Sequence, residues 1–357
     1  MTNPYRNLPD FCFWSRAMTW PAAGHIDPVT EGVLIGRSDK VATMGSCFAQ
    51  HLSRHLQHAG LQYYVAETPV VGMSDVEAKS RNYGVFSARY GNVYTVRQAV
   101  QLFDRAFDRF HPVDDVWEQK GGFVDAFRPQ IEPQPLASIE AVRQSATEHL
   151  HYVREVFTQS DWLVFTLGLT EGWRSRRDGA VYPTAPGVAG GEFDPDQYEF
   201  VNFGCDEVRD DLAQFVDRVQ EVNPDCKILL TVSPVPLIAT YERRHVWVST
   251  TCSKAVLRVA ADEMERRFAN VTYFPSYEII TSPATGGRYY ADDLRQVTEL
   301  GVKHVMRTFT AHFLTSSADR PPSQAPSPVS TPPANVVCDE EVIDRVLQLS
   351  GFGSKRG

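Results

Sequence analysis

No stretch of this sequence approaches the roughly 20 consecutive apolar residues that a membrane-spanning helix needs. The opening residues, MTNPYRNLPDFCFWSRAM, also lack the basic start and apolar run of a secretory leader, so the cytoplasm is the expected compartment. A basic excess is missing as well: 35 Lys and Arg face 44 Asp and Glu, for a formal net charge of -9. Binding along a phosphate backbone draws on counterion release from a basic face, so nucleic acid is not an expected partner. The six cysteines, Cys12, Cys47, Cys205, Cys226, Cys252 and Cys338, include no C-x-x-C pair and none of the close spacings of zinc ribbons or small secreted frameworks. They read as free thiols, mostly buried. His51, His55 and His58 fall on one helical stripe, but no carboxylate or cysteine joins them at ligand spacing. A solvated helix face accounts for them, and neither a metal nor a cofactor is expected.

What remains is an ordinary globular composition, 43% hydrophobic and 22% charged over 357 residues, long enough to bury a core without staples. Residues 1–40 carry little periodicity and read as an irregular arm. A short apolar strand from Lys40 to Met44 then breaks at Gly45, and Phe48, Ala49, Leu52, Leu56 and Ala59 recur at helical spacing up to Gly60. Further helices are expected from Thr95 to Phe107, from Ser138 to Ser160, near Glu207 to Glu221, from Ser253 to Phe268 and near Thr298 to Phe313, with Thr95 and Ser138 as N-caps. Strands are expected at DWLVFTLG ending on Gly168, at KILLTVSP from Lys227 to Pro234, and from Val271. Residues 110–135 read as an ordered loop or small insertion, and 174–204 as a polar, Gly-rich excursion. Short apolar strands alternating with amphipathic helices indicate an α/β domain with a mostly parallel sheet and loop insertions. Ligands of such folds bind beyond the carboxyl ends of the strands. The segment 316–336, rich in Pro and Ser, reads as a disordered linker, followed by a short C-terminal segment, 337–357.

Three strand exits carry chemistry. In Gly45-Ser46-Cys47-Phe48-Ala49, Ser46 sits between a strand and the first turn of a helix. There it is either an N-cap or a nucleophile, beside backbone N–H groups that suit an oxyanion. Cys47, at the same helix start, reads as a packing residue or as a thiolate acting in place of Ser46. In the second exit, Gly168-Leu169-Thr170-Glu171, the glycine permits close backbone approach, while Thr170 and Glu171 either face the crevice or, as a plain turn, let Thr170 cap a helix. The third exit holds Asp292, Asp293 and Gln296. Ser253 and Lys254, at the expected start of a helix, read as cap and solvated charge rather than as a Ser-Lys pair. Trp173, Tyr182 and Trp247 offer stacking faces.

These strings, in this order, are similar to the GSCFA family, whose signature matches Gly45 to Ala49 and which resembles the SGNH/GDSL hydrolases. YGNVYTVRQAVQLFDRAF from Tyr90, FRPQIEP from Phe127, TLGLTEGW from Thr166, TVSPVPL from Thr231, SKAVLR from Ser253 and YFPSYEII from Tyr273 carry the resemblance over about residues 4 to 313. It implies a three-layer α/β/α, flavodoxin-like domain over 1–315, with Ser46 as nucleophile and its backbone N–H as an oxyanion donor. Gly91 and Asn92 match a second block, and Gly168, Thr170 and Glu171 stand where a third belongs. Asp293 fits the acid of the last block, but Gln296 occupies the position of the histidine base.

A carboxamide does not exchange a proton near neutral pH, so Gln296 cannot serve as that base. His304, eight residues on, and His245 are the imidazoles that can take the role from elsewhere. The expected function is an esterase or O-acyltransferase working through an acyl-serine on a small-molecule or carbohydrate ester. The carbohydrate follows from the resemblance alone, through the family's link to bacterial surface polysaccharides. The alternative is a weakened or inactive homologue that binds a glycan or acyl ligand.

Overall fold

A computed structural model describes residues 3–58, 60–314 and 341–343. The expected linker 316–336, Cys338 and all of 337–357 except 341–343 lie outside the described residues. The described chain falls into two compact units, 38–273 with 341–343, and 3–37 with 274–314.

In the first unit, β1 (Val41–Gly45) leads into α1 (Ala49–His58), α2 (Asp75–Ser80) and α3 (Val96–Ala106). A hairpin of β2 (Val116–Gln119) and β3 (Gly122–Asp125) precedes α4 (Ile139–Gln159) and β4 (Trp162–Leu167). Then come β5 (Glu171–Ser175), β6 (Val181–Tyr182), β7 (Tyr198–Asn202), α5 (Cys205–Val222), β8 (Lys227–Val232), α6 (Val246–Arg267) and β9 (Val271–Tyr273). Strands β1, β4, β8 and β9 form one parallel sheet in that order, flanked by helices. This is the expected α/β architecture, consistent with a three-layer flavodoxin-like fold. Every residue of β1 and β4 is buried, as it must be in a parallel strand covered on both faces, which explains why these strands read as unbroken apolar runs.

Side chains start the helices where the sequence places caps. Thr95 and Gln98 form a capping box at α3, and Ser138 Oγ accepts from Ala141 N at α4. Two segments depart from the sequence reading. The excursion 174–204 contains most of a three-stranded antiparallel sheet, β6-β5-β7, and Glu171 begins a strand rather than a helix. Within 110–135 lies the β2–β3 hairpin. Helix α6 begins at Val246, seven residues before the expected start, with the exposed His245 as N-cap. Its first turns, VWVSTT, are poor in helix formers, and packing overrides that local preference.

The second unit contains α7 (Ser276–Thr281) and α8 (Glu299–Phe313), together with short helical turns at Asp10–Cys12, Ser15–Thr19, Ala23–His25 and Pro283–Thr285. The arm is held by α8: Ile35 N donates to Phe313 O at 2.8 Å, His312 Nε2 pairs with Asp27 at 2.6 Å, and Arg307 bonds the Gly24 carbonyl. Of the five described cysteines, Cys47 and Cys226 are buried while Cys12, Cys205 and Cys252 are exposed. That reverses the expectation of mostly buried thiols, because Cys205 opens α5 and Cys252 falls on the outer face of α6. Among the described residues no helix is long and apolar enough to cross a membrane.

Candidate functional site

The turn after β1 is built around Gly45. Its φ of +123° lies where only glycine is at ease, and a Cβ there would stand 2.2 Å from Thr166 O. The residue therefore lets β1 pass tight against β4 before the chain turns into α1. Ser46 follows, 3% exposed, its N–H donating to Thr166 O at 3.0 Å and its carbonyl accepting from Ala49 N at 2.9 Å. Ser46 Oγ is buried and has no hydrogen-bond partner among the described residues. It caps nothing. Of the two readings of Ser46, the N-cap is the one this geometry removes. A buried hydroxyl left unsatisfied costs about 1–3 kcal/mol, so its retention calls for a use. Thr166 Oγ1, on the neighbouring strand end, is buried and unpartnered in the same way.

Two further segments close on this turn. Val93 N donates to Gly45 O at 2.8 Å, which sets Gly91 (φ +70°) and buried Asn92 beside it. Asn92 Oδ1 accepts from Gln50 Nε2 of α1 at 3.4 Å. Tyr94 O then accepts from both Gly168 N and Leu169 N, at 3.1 and 3.0 Å. The capping box holds this register, since Gln98 Oε1 also accepts from Tyr94 N. Gly168 is packed so closely that a Cβ on it would meet Tyr94 O at 2.8 Å and Ser46 Cβ at 3.2 Å. The backbone N–H groups of Ser46 and Gly168 are thus engaged, by Thr166 and Tyr94. The expectation that Ser46 N–H points to an oxyanion does not hold in this conformation, because the strand ladder takes that donor.

A buried ion network carries the segment leading to Asn92. Arg89 N donates to Glu67 at 2.7 Å, its guanidinium pairs with Glu132 at 2.6 Å, and Arg128 pairs with Asp125 at 2.7 Å. His149 Nδ1 lies 2.7 Å from Glu67. Burial pushes the Glu67 carboxyl up, but His149, Arg128 and the Arg89 N–H outweigh it and hold it at about 2. Burial, then Arg128, pushes the His149 imidazole down to about 4.

The remaining candidates have other employment. Thr170 Oγ1 donates to Asn202 Oδ1 at 2.7 Å, and Thr170 N donates to Ser253 Oγ at 3.0 Å. Glu171 accepts from Thr240 Oγ1 at 2.7 Å and anchors the segment that lays exposed Tyr241 against Trp173; burial raises its carboxyl. Cys47 is buried beside Ser46, and His245 Nδ1 accepts from Trp247 N at 3.1 Å. Tyr182, 1% exposed within the Trp117 and Tyr198 cluster, offers no stacking face, whereas Trp247 is 66% exposed.

In the unit of 3–37 and 274–314, Asp293 and Gln296 lie in an exposed loop, where Asp293 Oδ1 accepts from the backbone N–H of Arg295 and of Gln296, at 3.0 and 2.9 Å. His304 is buried with both ring nitrogens occupied, Nδ1 by Tyr289 Oη at 2.7 Å and Nε2 by Ile26 O at 2.8 Å; burial lowers its basicity. The imidazole is committed to structure.

Lys254 is the residue the sequence reading placed wrongly. It lies inside α6 rather than at its start, 2% exposed, and Nζ donates to Gly168 O at 2.5 Å. The signal was present: the buried stripe of Leu257, Ala261 and Met264, carried back one turn, lands on Lys254. Among the described residues no cluster of three or more His, Cys, Asp or Glu is arranged to hold a metal.

A family model described as GSCFA family matches residues 40–309. Comparison with curated proteins finds no significant match.

Proposed function

The chain belongs to the GSCFA family, and from that premise we propose that it is an acyl-ester enzyme, an esterase or O-acyltransferase acting on a carbohydrate or related polar ester through an acyl-Ser46 intermediate. The observation that carries this reading is the buried, unpartnered Oγ of Ser46 at the carboxyl end of β1, where ligands of α/β sheets bind. The SGNH-like role of Ser46 rests on the resemblance of its turn. Asn92 supplies the side-chain amide for the oxyanion, and Gly168 lets the end of β4 pack directly against the Ser46 side chain. Trp247 and Tyr241 give the apolar C–H face of a sugar exposed rings to stack on. With Ser46 only 3% exposed, the reaction includes an opening step before an acyl donor reaches it.

The reading is tested by turnover of p-nitrophenyl acetate and acetylated sugars by the native protein, Ser46→Ala and Gln296→His. Hydrolysis or transfer by the native protein that is lost in Ser46→Ala supports it. Equal activity of Ser46→Ala removes Ser46 as nucleophile. Gln296 favours a second reading, a homologue that binds its ligand without turnover. Ligand-induced thermal stabilisation without product from either the native protein or Gln296→His supports that one.

A further inference from the structure

We propose that Lys254 is the proton acceptor for Ser46, supplying the base that position 296 lacks. The proposal rests on the acyl-serine reading above. Its starting point is one glycine with two neighbours. The open Cα face of Gly168 lies against Ser46, 3.2 Å from the Ser46 Cβ to the site of a Cβ, and its carbonyl oxygen takes the Lys254 Nζ bond at 2.5 Å. Covalent dimensions of the glycine then place Nζ no more than about 9 Å from Ser46 Cβ. Ser46 Oγ makes no hydrogen bond in this conformation, so the lysine reaches it by rotating its four-carbon arm off the Gly168 carbonyl, or through one water.

Helix α6 is fastened to this loop at two successive residues, Ser253 Oγ accepting from Thr170 N and Lys254 donating to Gly168 O. The arm is therefore delivered to the Ser46 wall by backbone that cannot drift. The residue as a whole is 2% exposed. A lysine amine is a compact donor and, once deprotonated, a general base on a flexible arm. Among the imidazoles of the same unit, His51 on α1 is packed on Phe48 and pushed down to about 4 by burial and then by Arg54.

The proton and electron count closes. The Nζ lone pair takes the Ser46 proton as Oγ bonds to the ester carbonyl carbon and the π pair moves to the carbonyl oxygen. Collapse of the adduct breaks the bond to the leaving alcohol, which takes the proton from Nζ. Water or an acceptor hydroxyl then gives its proton to Nζ and attacks the acyl carbon, and Ser46 Oγ leaves and recovers the proton.

The test is the rate of Ser46 modification by a fluorophosphonate, and of ester turnover, in native protein, Lys254→Arg, Lys254→Met, Lys254→Ala and His51→Phe. Lys254→Arg keeps a cation and a donor for Gly168 O but cannot act as base, so it is expected to lose roughly 10²–10⁴-fold, as is Lys254→Met. In Lys254→Ala, small primary amines restore the rate in proportion to their basicity, which a purely structural role does not produce. Native modification rises with pH to a plateau. Retention of rate within about threefold in a folded Lys254→Arg, or loss in His51→Phe but not in Lys254→Met, overturns the proposal. Should the Lys254 variants not fold, a native rate independent of pH overturns it as well. Absence of both modification and turnover in native protein instead removes the acyl-serine reading itself.

Discussion

Lys254 Nζ donates a 2.5 Å hydrogen bond to the carbonyl of Gly168, the residue whose bare Cα faces the Ser46 side chain. Gly168 thereby links the ends of β1 and β4 to the interior of α6, and the stability and reactivity of Ser46 are set by what surrounds it rather than by its own hydrogen bonds.

Ser46→Ala is expected to raise stability by roughly 1 kcal/mol while abolishing activity, because it removes a buried, unsatisfied hydroxyl. An N-cap serine behaves in the opposite way, losing about 1 kcal/mol on the same change. Urea denaturation of the two proteins gives the sign directly.

Glycines 45 and 168 tolerate no side chain. Gly168→Ala drives a methyl toward Tyr94 O and Ser46 Cβ, at 2.8 and 3.2 Å, and is expected to cost about 1–3 kcal/mol and most of the activity. Gly45→Ala is worse, since it adds a strained φ of +123° to a 2.2 Å overlap with Thr166 O. Urea midpoints of both variants, read beside Ser46 modification rates, rank them.

Asn92→Ala is expected to lower kcat by roughly 10²–10³ with little change in KM, the pattern of a group that bonds the developing oxyanion and not the ground state. Steady-state kinetics on one ester separates this from a folding defect, in which kcat recovers when corrected for the active fraction.

Acid weakens the fold through the Glu67 and His149 pair. Both bind a proton more weakly folded than unfolded, so both favour the folded state at higher pH. The His149 contribution is complete above 6.5 and is lost as pH falls toward 4; that of Glu67 is lost below 4.5 toward 2. Stability is expected to fall by about 2–3 kcal/mol across the His149 window. Urea midpoints from pH 7 to 4 measure it, and His149→Leu flattens that slope.

Much of this architecture is legible in the sequence because burial on both faces of a parallel strand leaves unbroken apolar runs, as in β1, β4 and β8, and because Thr95 and Ser138 are chemically suited to cap helices. The β5–β7 sheet is not legible: its residues are only partly buried and glycines interrupt them, so no period stands out. At the site, Ser46 and Gly168 are brought together as the strand exits suggest, and Asn92 sits beside their turn as the resemblance implies. Lys254 escapes because a lysine reads as solvated until the stripe through Leu257 and Ala261 is traced back through helix turns that VWVSTT conceals.

The central claim is that acyl chemistry passes through Ser46, and peptide mass spectrometry after fluorophosphonate treatment tests it most directly. The account predicts one stoichiometric adduct on the Ser46 hydroxyl, absent from Ser46→Ala and formed far more slowly in Lys254→Arg. An unmodified Ser46 in native protein, or an adduct carried by Cys47 instead, contradicts it.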